Sequence, residues 1–182
     1  MQTYIALLRG INVSGQKQMK MADLKALFVE AGGQEVQTYI QSGNVVFRHL
    51  VVDTLELSRL LEQTIQKKYA FEVPVIIRNG QQIQQALEKN PFLEESEVDR
   101  EQLYVTFLSE EPTAALVEKT KVLQFEPDRF VIAGREVYVY CPGGYGRTRL
   151  NNTFFENKLK LKATTRNLRT LHTLVEMAQP AS

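Results

Sequence analysis

Cysteine is almost absent from this 182-residue chain. The one thiol, Cys141, has no partner for an intramolecular disulfide. Free cysteine usually behaves as a small buried hydrophobe, and the strand-like neighbours of Cys141 predict that role rather than a reactive thiol. Histidine is nearly as scarce. His49 and His172 are the only two, and neither has a Cys or carboxylate at ligand spacing. No metal site and no cofactor are expected. No apolar run is long enough to cross a bilayer. Met1-Gln2-Thr3-Tyr4 lacks the basic start and apolar stretch of a secretory signal. A cytoplasmic protein without membrane contact is the expectation. Net charge is also small, at +1, which excludes a chain-wide pull toward nucleic acid or membrane.

What is present is a large apolar fraction, 43% of residues. A chain of this size buries roughly 70% of the surface its unfolded form exposes, so neither disulfide nor metal is needed to hold it. Charge is uneven along the chain. From Arg147 to Arg169 seven basic residues stand against Glu156 alone, and the stretch from Glu94 to Glu111 is acidic. A local basic region attracts anions even when the total is balanced; a solvated charged face is the other reading.

The order of elements is legible. Residues 3–9 read as a strand. Leu24, Leu27, Phe28 and Ala31 recur at helical spacing, and Gly32-Gly33 stops that helix. Residues 35–41 and 44–49 form two strands around a tight Ser42-Gly43 turn. Asp53, with Glu56 three residues on, opens a helix with the stripe Leu57, Leu60, Leu61 and Ile65. Val73 to Arg78 is a further strand. This β-α-β-β-α-β order is the ferredoxin-like arrangement. A connecting helix, Gln81 to Lys89, ends at Asn90-Pro91. The second half then reads as a strand through Leu103, Val105 and Phe107, a helix after Pro112, and a hairpin around Gly134. Two closing helices follow at about 150–160 and 165–178. The fold class predicted is α+β: two packed ferredoxin-like subdomains with antiparallel sheets, residues 1–80 and 81–182. The second is incomplete, lacking its last strand. The repeat is one of element order, with no residue-level repeat.

That topology brings the loop after the first strand to the same end as the first hairpin. Arg9, Asn12 and Ser14 should meet Ser42, Gly43 and Asn44. Arginine, asparagine and serine side chains with glycine N–H groups can hold a phosphate or carboxylate. The alternative is that Asn12 and Asn44 cap turns and Arg9 pairs with a local acid. The loop Gly143 to Thr148 leads toward a helix, whose N-terminus favours anions; Thr148 is also a fair N-cap. Thr164 or Thr165 is the N-cap expected for the last helix, beside Arg166 and Asn167. The corner is expected to converge with Arg147, or with Arg166 and Asn167, into one anion site.

Other motifs fail. Gly10 to Lys17 approaches a P-loop, but Gln16 stands where its lysine belongs. Residues 43–48 do not match the aromatic pattern of an RNA-recognition sheet, although Tyr138 and Tyr140 share a strand face. Ser42 lacks the Gly-x-Ser-x-Gly elbow of a hydrolase. No catalytic residues are assigned. The expected function is a binding protein for an anionic partner: a nucleotide, a phosphorylated metabolite or nucleic acid. An enzyme acting on such a substrate and a protein-interaction module are the alternatives.

Three segments carry a family resemblance: Leu7 to Gly15, Tyr39 to Phe47, and Tyr145 to Asn151 continued by Thr165 to Thr170. Together they resemble the bacterial family called domain of unknown function 1697. Thr148-Arg149 stands where that family has Ser-Lys, Leu168 where it has Trp, and Ser14 where a second glycine is usual. The resemblance implies two ferredoxin-like subdomains and brings no activity, cofactor or catalytic residue.

Overall fold

A computed structural model describes residues 1–179. The chain divides into two compact units, Met1–Ile83 with the segment from Thr173 on, and Gln84–His172. In the first unit the order is β1 (Gln2–Leu8), α1 (Met21–Glu30), β2 (Gln34–Tyr39), β3 (Asn44–His49), α2 (Thr54–Tyr69) and β4 (Val75–Arg78). All pairings are antiparallel and the sheet order is β2-β3-β1-β4. This is the ferredoxin-like arrangement expected from the sequence.

Alternation along β1 builds the core. Tyr4, Ala6 and Leu8 pack with Leu24 and Phe28 of α1 and with Leu57, Leu61 and Ile65 of α2. Ile5 and Leu7, on the opposite face, are also fully buried. Burial of both faces explains why β1 reads as a continuous apolar run rather than an alternating one. Each such side chain contributes about 1.5–3 kcal/mol. Phe47 meets Phe28 edge-on with centroids 5.0 Å apart. Asp53 caps α2, accepting from the N–H groups of Leu55 (2.8 Å) and Glu56 (3.2 Å). Leu60, expected in the buried stripe, is 36% exposed; the stripe runs through every fourth residue, Leu57, Leu61 and Ile65.

α3 (Gly80–Glu88) follows. Its cap is reciprocal: Gln82 N–H donates to Asn79 Oδ1 (2.8 Å), and Asn79 N–H to Gln82 Oε1 (2.9 Å).

The second unit contains β5 (Leu103–Leu108), α4 (Ala114–Lys121), β6 (Arg129–Ala133), β7 (Glu136–Tyr140), α5 (Asn152–Leu159) and β8 (Ala163–Asn167). The sheet order is β6-β7-β5-β8, again all antiparallel. The second half is therefore complete, contrary to the missing strand expected from its sequence. β8 pairs with β5 from Leu108↔Ala163 to Tyr104↔Asn167. Its sequence, Ala-Thr-Thr-Arg-Asn, has no apolar alternation, and its threonines equally suit a helix start. Here they serve as β-branched strand residues, and the hydroxyls of Thr106 and Thr165 meet across the ladder at 2.7 Å. The cap of α6 (Leu168–Met177) is Asn167, whose Oδ1 accepts from Thr170 N–H at 2.8 Å.

The registers expose a repeat at residue level. Leu8 N–H bonds Gly43 O, and Arg9 N–H bonds Pro74 O; Leu108 and Ser109 make the same bonds to Arg135 O and Lys162 O, all at 2.9 Å. This alignment sets Arg78-Asn79 on Arg166-Asn167. Both arginines are buried, at 1% and 8% exposure. Each donates from Nη1 to the carbonyl of its own preceding residue, Ile77 (3.0 Å) or Thr165 (2.9 Å). Each asparagine caps the helix that follows.

Candidate functional site

The loop between β1 and α1 is built on left-handed backbone: Gly10, Asn12, Ser14, Gly15 and Lys17 all have φ between +46° and +74°. Val13 and Gln16 bridge to form a small turn within it. Asn12 ties that loop to the β2–β3 hairpin. Its Nδ2 donates to Gln41 O (2.8 Å) and Met19 O (3.0 Å), and its Oδ1 accepts from Met19 N–H (2.8 Å). Asn44 is fully buried and closes the hairpin, donating to Tyr39 O (3.0 Å) and Ser42 Oγ (3.1 Å). Gly43 has φ +87°, and a Cβ there would stand 2.8 Å from both Leu8 Cβ and Ile11 Cδ1. Arg9 is half-buried, and its N–H belongs to the sheet edge at Pro74. The structure thus brings loop and hairpin together, and it uses the two asparagine side chains to hold them.

Beside this junction lies a cleft of about 530 Å³. Asn12, Gly15, Gln18, Met19, Lys20, Asp23, Gln41 and Tyr69 line it. It sits at the N-terminus of α1. The N-cap residue there is Lys20, which makes no side-chain cap bond and carries no acceptor to make one. First-turn N–H groups have no intrahelical partners. Tyr69, the last residue of α2, stacks on Phe71 with centroids 5.4 Å apart. Its hydroxyl oxygen is shielded from solvent and has no hydrogen-bond partner among the described residues. Burial, reinforced by the negative charge of Asp23, raises its pKa, so the phenol is a neutral donor. Sequence reasoning found Asn12 but missed Gln18, Lys20, Asp23 and Tyr69. The sequence points the other way: Asp23, directly before Leu24, reads as an N-cap, but the helix begins at Met21, so Asp23 falls in its first turn and Lys20 takes the cap position.

The expected residues of the second unit are placed differently from one another. Arg147 is exposed, in a 3-10 turn spanning Tyr145–Arg147. The helix beyond the glycine loop is already capped, because Asn151 Oδ1 accepts from Phe154 N–H at 2.9 Å. Thr148, expected as that cap, instead donates to Asp128 Oδ2 (2.6 Å) and accepts from Leu150 N–H (3.0 Å). Arg166 is buried and also donates to Thr164 Oγ1 at 2.8 Å. Burial lowers its pKa to about 10, so it stays cationic at neutral pH. Asn167 holds α6. Tyr138 is 3% exposed, and Tyr140 lies under the Arg129 guanidinium at 5.3 Å, so neither offers an open stacking face. Cys141 is fully buried, as expected, and burial pushes its thiol up to about 11.

Among the described residues, no cluster of three or more His, Cys, Asp or Glu could hold a metal ion. No helix among them is long and apolar enough to cross a membrane.

A solved structure of a conserved bacterial protein, SP0830 from Streptococcus pneumoniae, is similar in fold. It has a TM-score of 0.73 and 21% identity, with 99% of each chain covered. No curated protein matches the sequence. The family model described as "Protein of unknown function (DUF1697)" matches residues 1–138. The chain belongs to that family.

Proposed function

We propose that this chain is a cytoplasmic binding protein for a small anionic ligand, seated in the cleft at the start of α1. One observation carries the reading: a helix N-terminus without a side-chain cap, flanked by Lys20, opens into a cleft of about 530 Å³. Small-molecule sites run to about 300–1,000 Å³. A helix N-terminus is worth roughly half a positive charge. With Lys20 at +1 and Asp23 at −1, the local total is only about half a unit positive. A site so balanced suits an anion that also brings a hydrogen-bond donor for Asp23. Tyr69 supplies a further donor. Nucleotides and phosphorylated metabolites have this mixed character. Nucleic acid fits less well, since a duplex carries one charge per roughly 1.7 Å and the cleft holds one cationic side chain.

A thermal-shift screen tests this against nucleotides, phosphorylated metabolites and short oligonucleotides. A ligand at a hundredfold excess over its Kd stabilises by about 2.7 kcal/mol. The expected result is a shift with a mononucleotide or sugar phosphate that Lys20→Glu abolishes. No shift with any of the three classes, or a shift that survives Lys20→Glu, overturns the reading.

A further inference from the structure

We propose that β6 is a self-pairing edge, through which two copies of this chain join their second-unit sheets. β6 is the sequence Arg-Phe-Val-Ile-Ala, rich in strand-favouring apolar residues. It lies at the end of its sheet. Among the described strands it alone contains no buried residue, and Val131 is 40% exposed. Exposed, regular, apolar edges are commonly blunted by bulges, prolines or lysines. The corresponding edge of the first sheet has such a device. β2 is bulged, its register shifts between Gln34 and Gln37, and Glu35 sits at φ +50°. β6 has none: its ladder to β7 is regular over all five residues.

The geometry favours a second copy as occupant. β6 and β7 are joined by the two-residue turn Gly134-Arg135, with Ala133 opposite Glu136. In such a hairpin the flanking pair exchanges hydrogen bonds, and alternate residues follow. Arg129, Val131 and Ala133 therefore turn their backbone groups toward β7, and Phe130 and Ile132 turn theirs outward. Among the described residues, no partner bonds those four outward groups. An antiparallel copy related by a two-fold axis at Val131 places Phe130 opposite Ile132 and Ile132 opposite Phe130. All four groups of each copy are then satisfied. Val131 meets its own equivalent in the closely spaced, non-hydrogen-bonded position, about 4.5 Å between Cα atoms. Charges also agree. Arg129 faces Ala133, and the Asp128 end of one strand lies beside Arg135 of the other. An edge contact this small is weak, so association in the roughly micromolar to millimolar range is expected.

Sedimentation equilibrium of the full chain across that range tests the proposal. The expected result is a monomer–dimer equilibrium. Val131→Lys and Val131→Glu should each be monomeric, because like charges then meet at the two-fold axis. Mixing them should restore the dimer. A second reading needs no variant: the Phe130 and Ile132 amides should gain hydrogen-exchange protection as concentration rises. A wild type that stays monomeric to about 1 mM overturns the proposal, including one whose edge captures an extended peptide instead. So does a Val131→Lys variant that dimerises like wild type, or outward amides whose protection is independent of concentration.

Discussion

Gly43 shows how much one residue can be required to do. Its φ of +87° and its approach to Leu8 and Ile11 leave no room for a side chain. Gly43→Ala should cost about 1–3 kcal/mol from overpacking alone, and backbone strain adds to it. A urea melt would show this as a lower midpoint. Asn44→Ala leaves the Tyr39 carbonyl and the Ser42 hydroxyl without their amide. A loss of about 1–3 kcal/mol is expected on the same assay. The sequence points to a turn at both positions, since a polar glycine-containing step between apolar strands has few other uses. It does not distinguish an asparagine that binds a ligand from one that binds its own backbone. That choice depends on which carbonyls lie within 3 Å, and it is set by tertiary approach. Cys141 is the simpler case. A thiol raised to about 11 stays protonated near neutral pH. A thiol-specific disulfide reagent should leave it untouched in native buffer and modify it fully in denaturant. Rapid native labelling would contradict the burial described here.

At the scale of elements, most of the first unit is legible, because hydrophobic spacing, Asp53 and the Ser42-Gly43 turn agree with one another. β8 is the failure. Thr164-Thr165 fits a strand and a helix cap equally well by propensity, and pairing with β5 decides between them. The repeat of Arg-Asn at the ends of β4 and β8 is hidden for a related reason. Two shared residues in different contexts, Ile-Ile before one and Thr-Thr before the other, align only once the ladders fix the register. The equivalence makes a prediction. Asn79→Ala and Asn167→Ala each remove a helix cap and should each cost about 0.5–2 kcal/mol in thermal melts. Substituting Thr164 by alanine removes no cap. If Thr164→Ala destabilised α6 more than Asn167→Ala, the assignment of the cap would be wrong.

For the molecule as a whole, the ferredoxin-like order recurs in both units, and the solved Streptococcus pneumoniae protein is similar in fold over 99% of the chain. The candidate cleft was only partly legible. Asn12 was reachable from the topology of β1 and the first hairpin. Lys20 and Asp23 lie in a stretch without a motif, and Tyr69 arrives from the far end of α2, fifty-seven residues after Asn12. Only folding brings these together. The central claim is that the uncapped start of α1 holds an anion. The most direct measurement is amide chemical-shift mapping as pyrophosphate and a nucleoside monophosphate are titrated into the full chain. The account predicts saturable shifts that are largest at Met21, Ala22 and Asp23, reach Tyr69, and weaken about ten- to hundredfold in apparent affinity in Lys20→Ala. Shifts confined to other parts of the chain, or no saturable shift at all, would contradict it.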